Sequence, residues 1–211
     1  CKALYAVHSD CKQCSGFETL GSGSFLGIVD GNCPLCDFNA DTVCAGFDDN
    51  IFFLDMDNVL VDFQSGLNKV PAATMEMFKD DGAGKPHYDD IPGLFSLMDP
   101  MPGAIDAVKA LAACGRYDLY ILSTAPWGNP SAWTDKVLWV KEHLDSDKPG
   151  GVFYKRLILS HHKNLCLQPG AWLIDDRTAH GAGLFGNRHI HFGSPQYPDW
   201  DSVLKFFLNK N

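Results

Sequence analysis

The sequence contains no apolar run approaching the length that spans a bilayer as a helix, so a membrane-spanning helix is not expected. It is also short of positive charge. Seventeen Lys and Arg against 26 Asp and Glu leave a formal net charge of −9, with acidic pairs at Asp48-Asp49, Asp80-Asp81 and Asp89-Asp90. No basic stripe is available to displace counterions from a phosphodiester backbone, which argues against nucleic acid as a partner. A small anionic substrate stays open, provided a metal and a lysine supply local positive charge. No basic-then-apolar leader is recognisable, and a cytoplasmic location is expected. What is present in quantity is apolar side chain: 45% of 211 residues, with 12% aromatic. That is ample for the core of one ordinary domain plus a small appendage.

Cysteine is distributed unevenly. Six of the eight lie within the first 44 residues, and four of those form "CKQC" (Cys11, Cys14) and "CPLC" (Cys33, Cys36). Each C-x2-C turn points two thiolates at one place, and two such turns complete a tetrahedral site with the spacing of a zinc ribbon. The segment, with "GSGS" at Gly21 to Ser24 and short apolar pieces, has too small a core of its own, so a metal would contribute much of its folding free energy. Zn²⁺ is expected there. Iron is the second option, because "CPLC" resembles the rubredoxin knuckle. Paired disulfides would need an oxidising compartment that nothing else in the sequence supports. Cys1, His8 and Cys44 lie outside the two pairs and are expected to pack as small residues.

From about Asp48 the texture changes to alternating strand and helix signals. "IFFL" (Ile51 to Leu54) is too short for a buried helix and too continuous for a half-exposed strand, so it reads as a strand covered on both faces. Further strands are expected at Tyr117 to Ser123, Lys155 to Ser160, Ala171 to Asp175 and His189 to Gly193. Between them, Pro102 starts and Gly115 stops a helix carrying Ile105, Val108 and Leu111. A second helix has Ser131 as N-cap and Trp133, Val137, Val140 and Leu144 on its apolar face. "SVLKFFLNK" closes the chain as an amphipathic helix. This alternation predicts an α/β fold: a Rossmann-like three-layer sandwich, a parallel sheet with helices on both faces joined by right-handed crossovers. The expected domains are a zinc-ribbon-like segment at 1–47 and the α/β domain at 48–211.

The strand ends carry the chemistry. The first runs into Asp55 and Asp57, the second into Ser123 and Thr124, the third is followed by "HHK" ending in Lys163, and the fourth ends in Asp175 and Asp176. In a parallel sheet these gather on one edge, where ligands bind. Two acidic pairs there repel unless a cation or a shared proton relieves them, and oxygen-only ligands suit Mg²⁺. Lys163 and the Thr124 hydroxyl are the expected phosphate partners. Taken singly, each of these residues has an ordinary structural use as a turn cap, helix start or surface charge; together they make one site.

In order, "DMDNVLVD", "STAP", "HHK" and "LIDDR" resemble the four motifs of the haloacid dehalogenase-like phosphatases. "DMDNVLVDF", "IPGLFSLMDPMPGAIDAVK" and "LIDD" are most similar to the 5′(3′)-deoxyribonucleotidase family and its bacterial relatives. The similarity covers about residues 50 to 211. It implies an Mg²⁺-dependent phosphomonoesterase acting on (deoxy)ribonucleoside monophosphates. Asp55 would be the nucleophile that forms an aspartyl-phosphate, and Asp57 the acid that protonates the leaving oxygen and later activates water. Thr124, Ala125 and Lys163 would hold the phosphate. Mg²⁺ would be bound by Asp55, the backbone carbonyl of Asp57, Asp175 and Asp176. In this superfamily an inserted cap covers the site, and here only about residues 63–98 are available for one. The family it resembles has a larger cap whose aromatics stack the base, whereas the aromatics here are Phe63, Phe78, Tyr88 and Phe95. Trp127 and Asn129, just past the phosphate loop, are candidates for contact with base or sugar. Two other functions are compatible with the sequence: a phosphatase for a bulky or non-nucleotide substrate, admitted by the small cap, and recruitment of a protein partner through the ribbon.

Overall fold

The computed structural model describes residues 18–20, 24–26, 51–80 and 82–208. The chain divides into two compact units, Cys1–Asp48 and Asp49–Asn211. In the first, β1 (Glu18–Leu20) and β2 (Ser24–Leu26) pair antiparallel, with Thr19 opposite Phe25. Cys11, Cys14, Cys33 and Cys36, and with them the expected zinc site, lie outside the described residues.

The second unit is built on a five-stranded parallel sheet. β3 (Ile51–Leu54) is central, flanked by β6 (Asp118–Ser123) and β8 (Trp172–Asp175), with β7 (Leu157–Leu159) beyond β6 and β9 (His189–His191) beyond β8. Leu54 stands opposite Ile121 on one side and Ile174 on the other, so these three strands deliver their carboxyl ends to the same edge. The short β4 (Val61–Asp62) and β5 (Asp99–Pro100) pair antiparallel. The insert between them holds α1 (Phe63–Leu67), α2 (Ala72–Met77) and 3-10 turns at Tyr88–Asp90 and Leu94–Leu97.

The two-residue period of the strands sorts the core. Phe52, Leu54, Ile121, Ile174 and Ile190 point to one face. There they meet α3 (Ala104–Ala113), α4 (Pro130–His143) and α5 (Trp200–Leu208) through Val108, Leu111, Trp139, Val140, Trp200, Val203 and Phe207. Each such side chain taken from water contributes about 1.5–3 kcal/mol. The buried indoles are satisfied: Trp200 Nε1 donates to the Val59 carbonyl and Trp139 Nε1 to that of Met98, both at 2.8 Å.

The other face corrects the three-layer expectation. Phe53, Leu122 and Leu173 are covered there by Ala182 and Phe185 of the 3-10 segment Ala182–Arg188, and Cys166 of the turn Lys163–Cys166 packs at its margin. Among the described residues no α-helix joins this layer. The connections from β7 to β8 and from β8 to β9 carry no amphipathic stretch long enough to form one.

The stripe of α4 also differs from its sequence reading. The buried residues are Ala132, Asp135, Lys136, Trp139 and Val140, Val137 is 39% exposed, and the N-cap is Asn129 with Pro130 at the first turn. The face is rotated by about one residue because Asp135 and Lys136 have partners that a count of apolar side chains does not register.

Candidate active site

Asp55 extends β3 by one residue, its N–H donating to the Ile174 carbonyl at 2.9 Å. The chain then curls around the Met56 carbonyl, which accepts from Val59, Leu60 and Val61, and Asn58 takes a left-handed φ of 56° to complete the turn. Asparagine tolerates that conformation better than most residues. The curl brings Asp57 back beside Asp55, and both are buried, 1% and 8% exposed. Asp175 ends β8, next to Asp55 across the ladder, with Asp176 following it.

Lys163 enters from the 3-10 turn after β7, held by its N–H to the His180 carbonyl at 2.8 Å. Its Nζ lies 2.9 Å from Asp55 Oδ2 and donates to Asp175 Oδ2. Thr124 follows β6 and lines the cavity, its hydroxyl donating to the Ser160 carbonyl at 2.9 Å. The hydroxyl reaches a phosphate only by exchanging that partner. Ala125 is fully buried behind it.

These neighbours set the protonation pattern. Burial raises the Asp55 carboxyl, but Lys163 and Lys136 outweigh it and hold the group below the ordinary carboxylate range. For Asp57 burial wins: its pKa lies above the usual value, with Asp55 adding repulsion and Lys136 only partly offsetting it. Asp175 is pushed up to about 6 by burial and by Asp55, against the pull of Lys163. Burial lowers the Lys163 ammonium, yet Asp55 and Asp175 hold it above its ordinary value. The two carboxyls, two residues apart, are thus shifted in opposite directions, Asp55 down and Asp57 up, the sense of division that a nucleophile and an acid require.

Oxygens of Asp55, Asp175 and Asp176 lie within 4.8 Å of one another. Asp55 Oδ2 and Asp176 Oδ1 are buried without hydrogen-bond partners; the Lys163 contact with Asp55 Oδ2 is close but not aligned as a hydrogen bond. Three clustered carboxylates, with two buried oxygens that face the cations Lys163 and Arg177 but accept no aligned hydrogen bond, fit a small divalent cation such as Mg²⁺. The Asp57 carboxylate is not in that group and is turned instead to Lys136.

A cavity of about 630 Å³ opens over this edge. Phe63, Tyr88 and Phe95 of the insert line one side and Trp127, His161 and His180 another, while Phe78 packs on His87 away from it. Trp127 is 83% exposed, stacked edge-on to His161 at 5.8 Å. Asn129 is placed differently from its sequence reading: it is 1% exposed, and its amide donates to the carbonyls of Asp89 and Ile91, both at 2.9 Å. It clamps the insert to the loop that follows β6 and is not among the residues that line the cavity. Gly128 permits that approach, since a Cβ there would stand 2.8 Å from Asp90 Oδ1.

Two cations escaped the sequence reading. Arg177 lines the cavity directly after the acidic pair, a position that adjacency alone could have flagged. Lys136 is 1% exposed and donates to Asp57 Oδ1 at 2.6 Å, and no sequence signal marks it, because a lysine in an amphipathic helix reads as solvated.

The family model described as "5' nucleotidase, deoxy (Pyrimidine), cytosolic type C protein" matches residues 80–203. A Vibrio phage KVP40 protein named "Putative 5'(3')-deoxyribonucleotidase" is 48% identical over 164 residues, covering 78% of this chain and 88% of the phage protein. A Bordetella bronchiseptica protein of the same name is 31% identical over 71% of this chain and 86% of its own. The human cytosolic-type 5'(3')-deoxyribonucleotidase is 27% identical over 72% of this chain and 77% of its own. The chain belongs to the 5'(3')-deoxyribonucleotidase family and is a phosphoric monoester hydrolase.

Proposed function

We propose that the chain hydrolyses (deoxy)ribonucleoside monophosphates, 5′-monophosphates above all, through an aspartyl-phosphate on Asp55. The observation that carries this reading is the convergence of Asp55, Asp57, Lys163, Asp175 and Asp176 on one sheet edge beneath an aromatic-walled cavity. A carboxylate attacks an anionic phosphate poorly unless the phosphoryl oxygens are neutralised. Lys163 supplies one positive charge beside Asp55, and Arg177 another on the cavity wall. Mg²⁺ held by Asp55, Asp175, Asp176 and the Asp57 carbonyl would neutralise the phosphoryl oxygens further when bound.

An Asp55 oxygen forms a bond to phosphorus as the bond to the leaving oxygen breaks, and Asp57 gives that oxygen its proton. Asp57, now a carboxylate, takes a proton from the water that attacks the aspartyl-phosphate, releasing phosphate and restoring Asp55. Thr124 and Ala125 position the phosphate, and Trp127 stacks against the base. The cavity volume is within the range of small-molecule sites, which favours a mononucleotide over a bulky substrate. Zn²⁺ at Cys11, Cys14, Cys33 and Cys36 is part of the same proposal, checked by metal content of the full chain against a Cys11→Ser variant.

The test is phosphate release from 5′- and 3′-(deoxy)nucleotides, sugar phosphates, a phosphopeptide and an aryl phosphate, with Mg²⁺ or EDTA. Nucleotides are expected to be preferred, with release dependent on Mg²⁺ and lost by at least about a thousandfold in Asp55→Asn. Release surviving in Asp55→Asn would remove the mechanism, and preference for the phosphopeptide would replace the substrate class.

A further inference from the structure

The buried lysines among the described residues are Lys163, whose place beside the nucleophile is given above, and Lys136. Lys136 reaches from α4 to three separate elements. Its Nζ donates to Asp57 Oδ1 at 2.6 Å and to Ser123 Oγ, at the end of β6, at 3.2 Å, and it sits 4.7 Å above the ring of Phe95 in the insert. An ammonium stripped of water survives only with such compensation, here a carboxylate, a hydroxyl and an aromatic face.

Among the described residues, Lys136 is the hydrogen-bond donor to the Asp57 carboxyl. Asp57 lines the cavity, and with Oδ1 bonded to Lys136, Oδ2 is the oxygen that has no donor among the described residues. A general acid has to stand within hydrogen-bond reach of the oxygen it protonates, and a displacement of about 1 Å costs up to about a hundredfold in rate. We propose that Lys136 is a positioning residue for the hydrolysis: it fixes the Asp57 side chain so that Oδ2 meets the leaving-group oxygen, and through Phe95 it ties that placement to the insert. Of the two buried ammoniums, Lys163 contacts the nucleophile directly, whereas Lys136 contacts the acid and reaches the nucleophile only through its charge. The inference rests on the reading of Asp57 as the acid.

The experiment is a cycle of Lys136→Met, Asp57→Asn and the double variant, each assayed with Mg²⁺ for leaving-group release in a single turnover. Two substrates are used: a deoxynucleoside 5′-monophosphate, whose alkoxide needs a proton to leave, and p-nitrophenyl phosphate, whose phenolate does not. Methionine keeps the length of the stem and removes the buried charge, and the double variant leaves no unpaired charge behind. Lys136→Met is expected to slow nucleoside release by about 10- to 100-fold and nitrophenolate release by less than about threefold. The double variant is expected to match Asp57→Asn within about threefold, because Lys136 acts through Asp57. Equal losses on both substrates, or additive losses in the double variant, would overturn the inference while leaving Asp57 as the acid. If Asp57→Asn shows no selective loss on the nucleotide, the assignment of Asp57 fails and the role of Lys136 falls with it.

Discussion

Titrating the metal-free protein across pH 6 should report on Asp175 directly. Its carboxyl titrates at about 6 in the fold, against 3.8 for the ordinary side chain. The folded state therefore holds this proton more tightly than the unfolded chain does. The stabilisation is complete below 3.8 and is lost as pH rises through about 6. At pH 5 the folded carboxyl favours its proton about tenfold, which corresponds to about 1.4 kcal/mol that is absent at pH 7.5. A divalent cation must displace that proton, so its apparent affinity falls about tenfold between pH 7.5 and 5. The thermal shift produced by about 10 mM MgCl₂ should therefore be smaller at pH 5 by roughly 3–6 °C for a domain of this size. The assay is thermal unfolding with and without Mg²⁺ at both pH values, for the wild type and Asp175→Asn. In the variant, the Mg²⁺ shift should be small at both. An Mg²⁺ shift of equal size at both pH values in the wild type, or one undiminished in Asp175→Asn, would show that this carboxyl does not hold the cation.

Trp127 is 83% exposed, so Trp127→Ala should change stability by less than about 0.5 kcal/mol. If it stacks on the base, KM for nucleotides should rise by the equivalent of about 1–3 kcal/mol, with KM for an aryl phosphate unchanged; an unchanged nucleotide KM would remove it from the site. Asn129→Ala leaves the buried Ile91 carbonyl and the part-buried Asp89 carbonyl without their donor and should cost about 1–3 kcal/mol of stability, read by denaturant unfolding. Because the insert is then untied from the loop that follows β6, nucleotide KM should rise as well. Stability at the wild-type level would mean that the clamp carries no load.

The candidate site was legible in the sequence because its residues are tied to strand ends. Ile51 to Leu54 declares a covered strand by continuity alone, and whatever follows such a strand in a parallel sheet is delivered to one edge; Asp55, Asp57, Thr124, Lys163, Asp175 and Asp176 could all be placed in this way. Period and punctuation are local properties, readable in a window of a dozen residues. Tertiary structure alone decided the rest. Lys136 and Asp57 are 79 positions apart, and a lysine on an amphipathic helix gives no local sign that it will be buried against a carboxylate. Asn129 stands beside Thr124 and Ala125 in sequence, as a substrate contact would, but its amide was claimed by the Asp89 and Ile91 carbonyls of an insert some 40 residues earlier. The face of the sheet covered by 3-10 segments escaped notice for a related reason: the strands beneath it are as apolar as strands under helices, and only the assembled layers show what lies above them. A strand's burial and the residue at its end are written along the chain, whereas the partner of a buried polar group is chosen by the packing of distant segments, where the cost of leaving that group unpaired makes the choice.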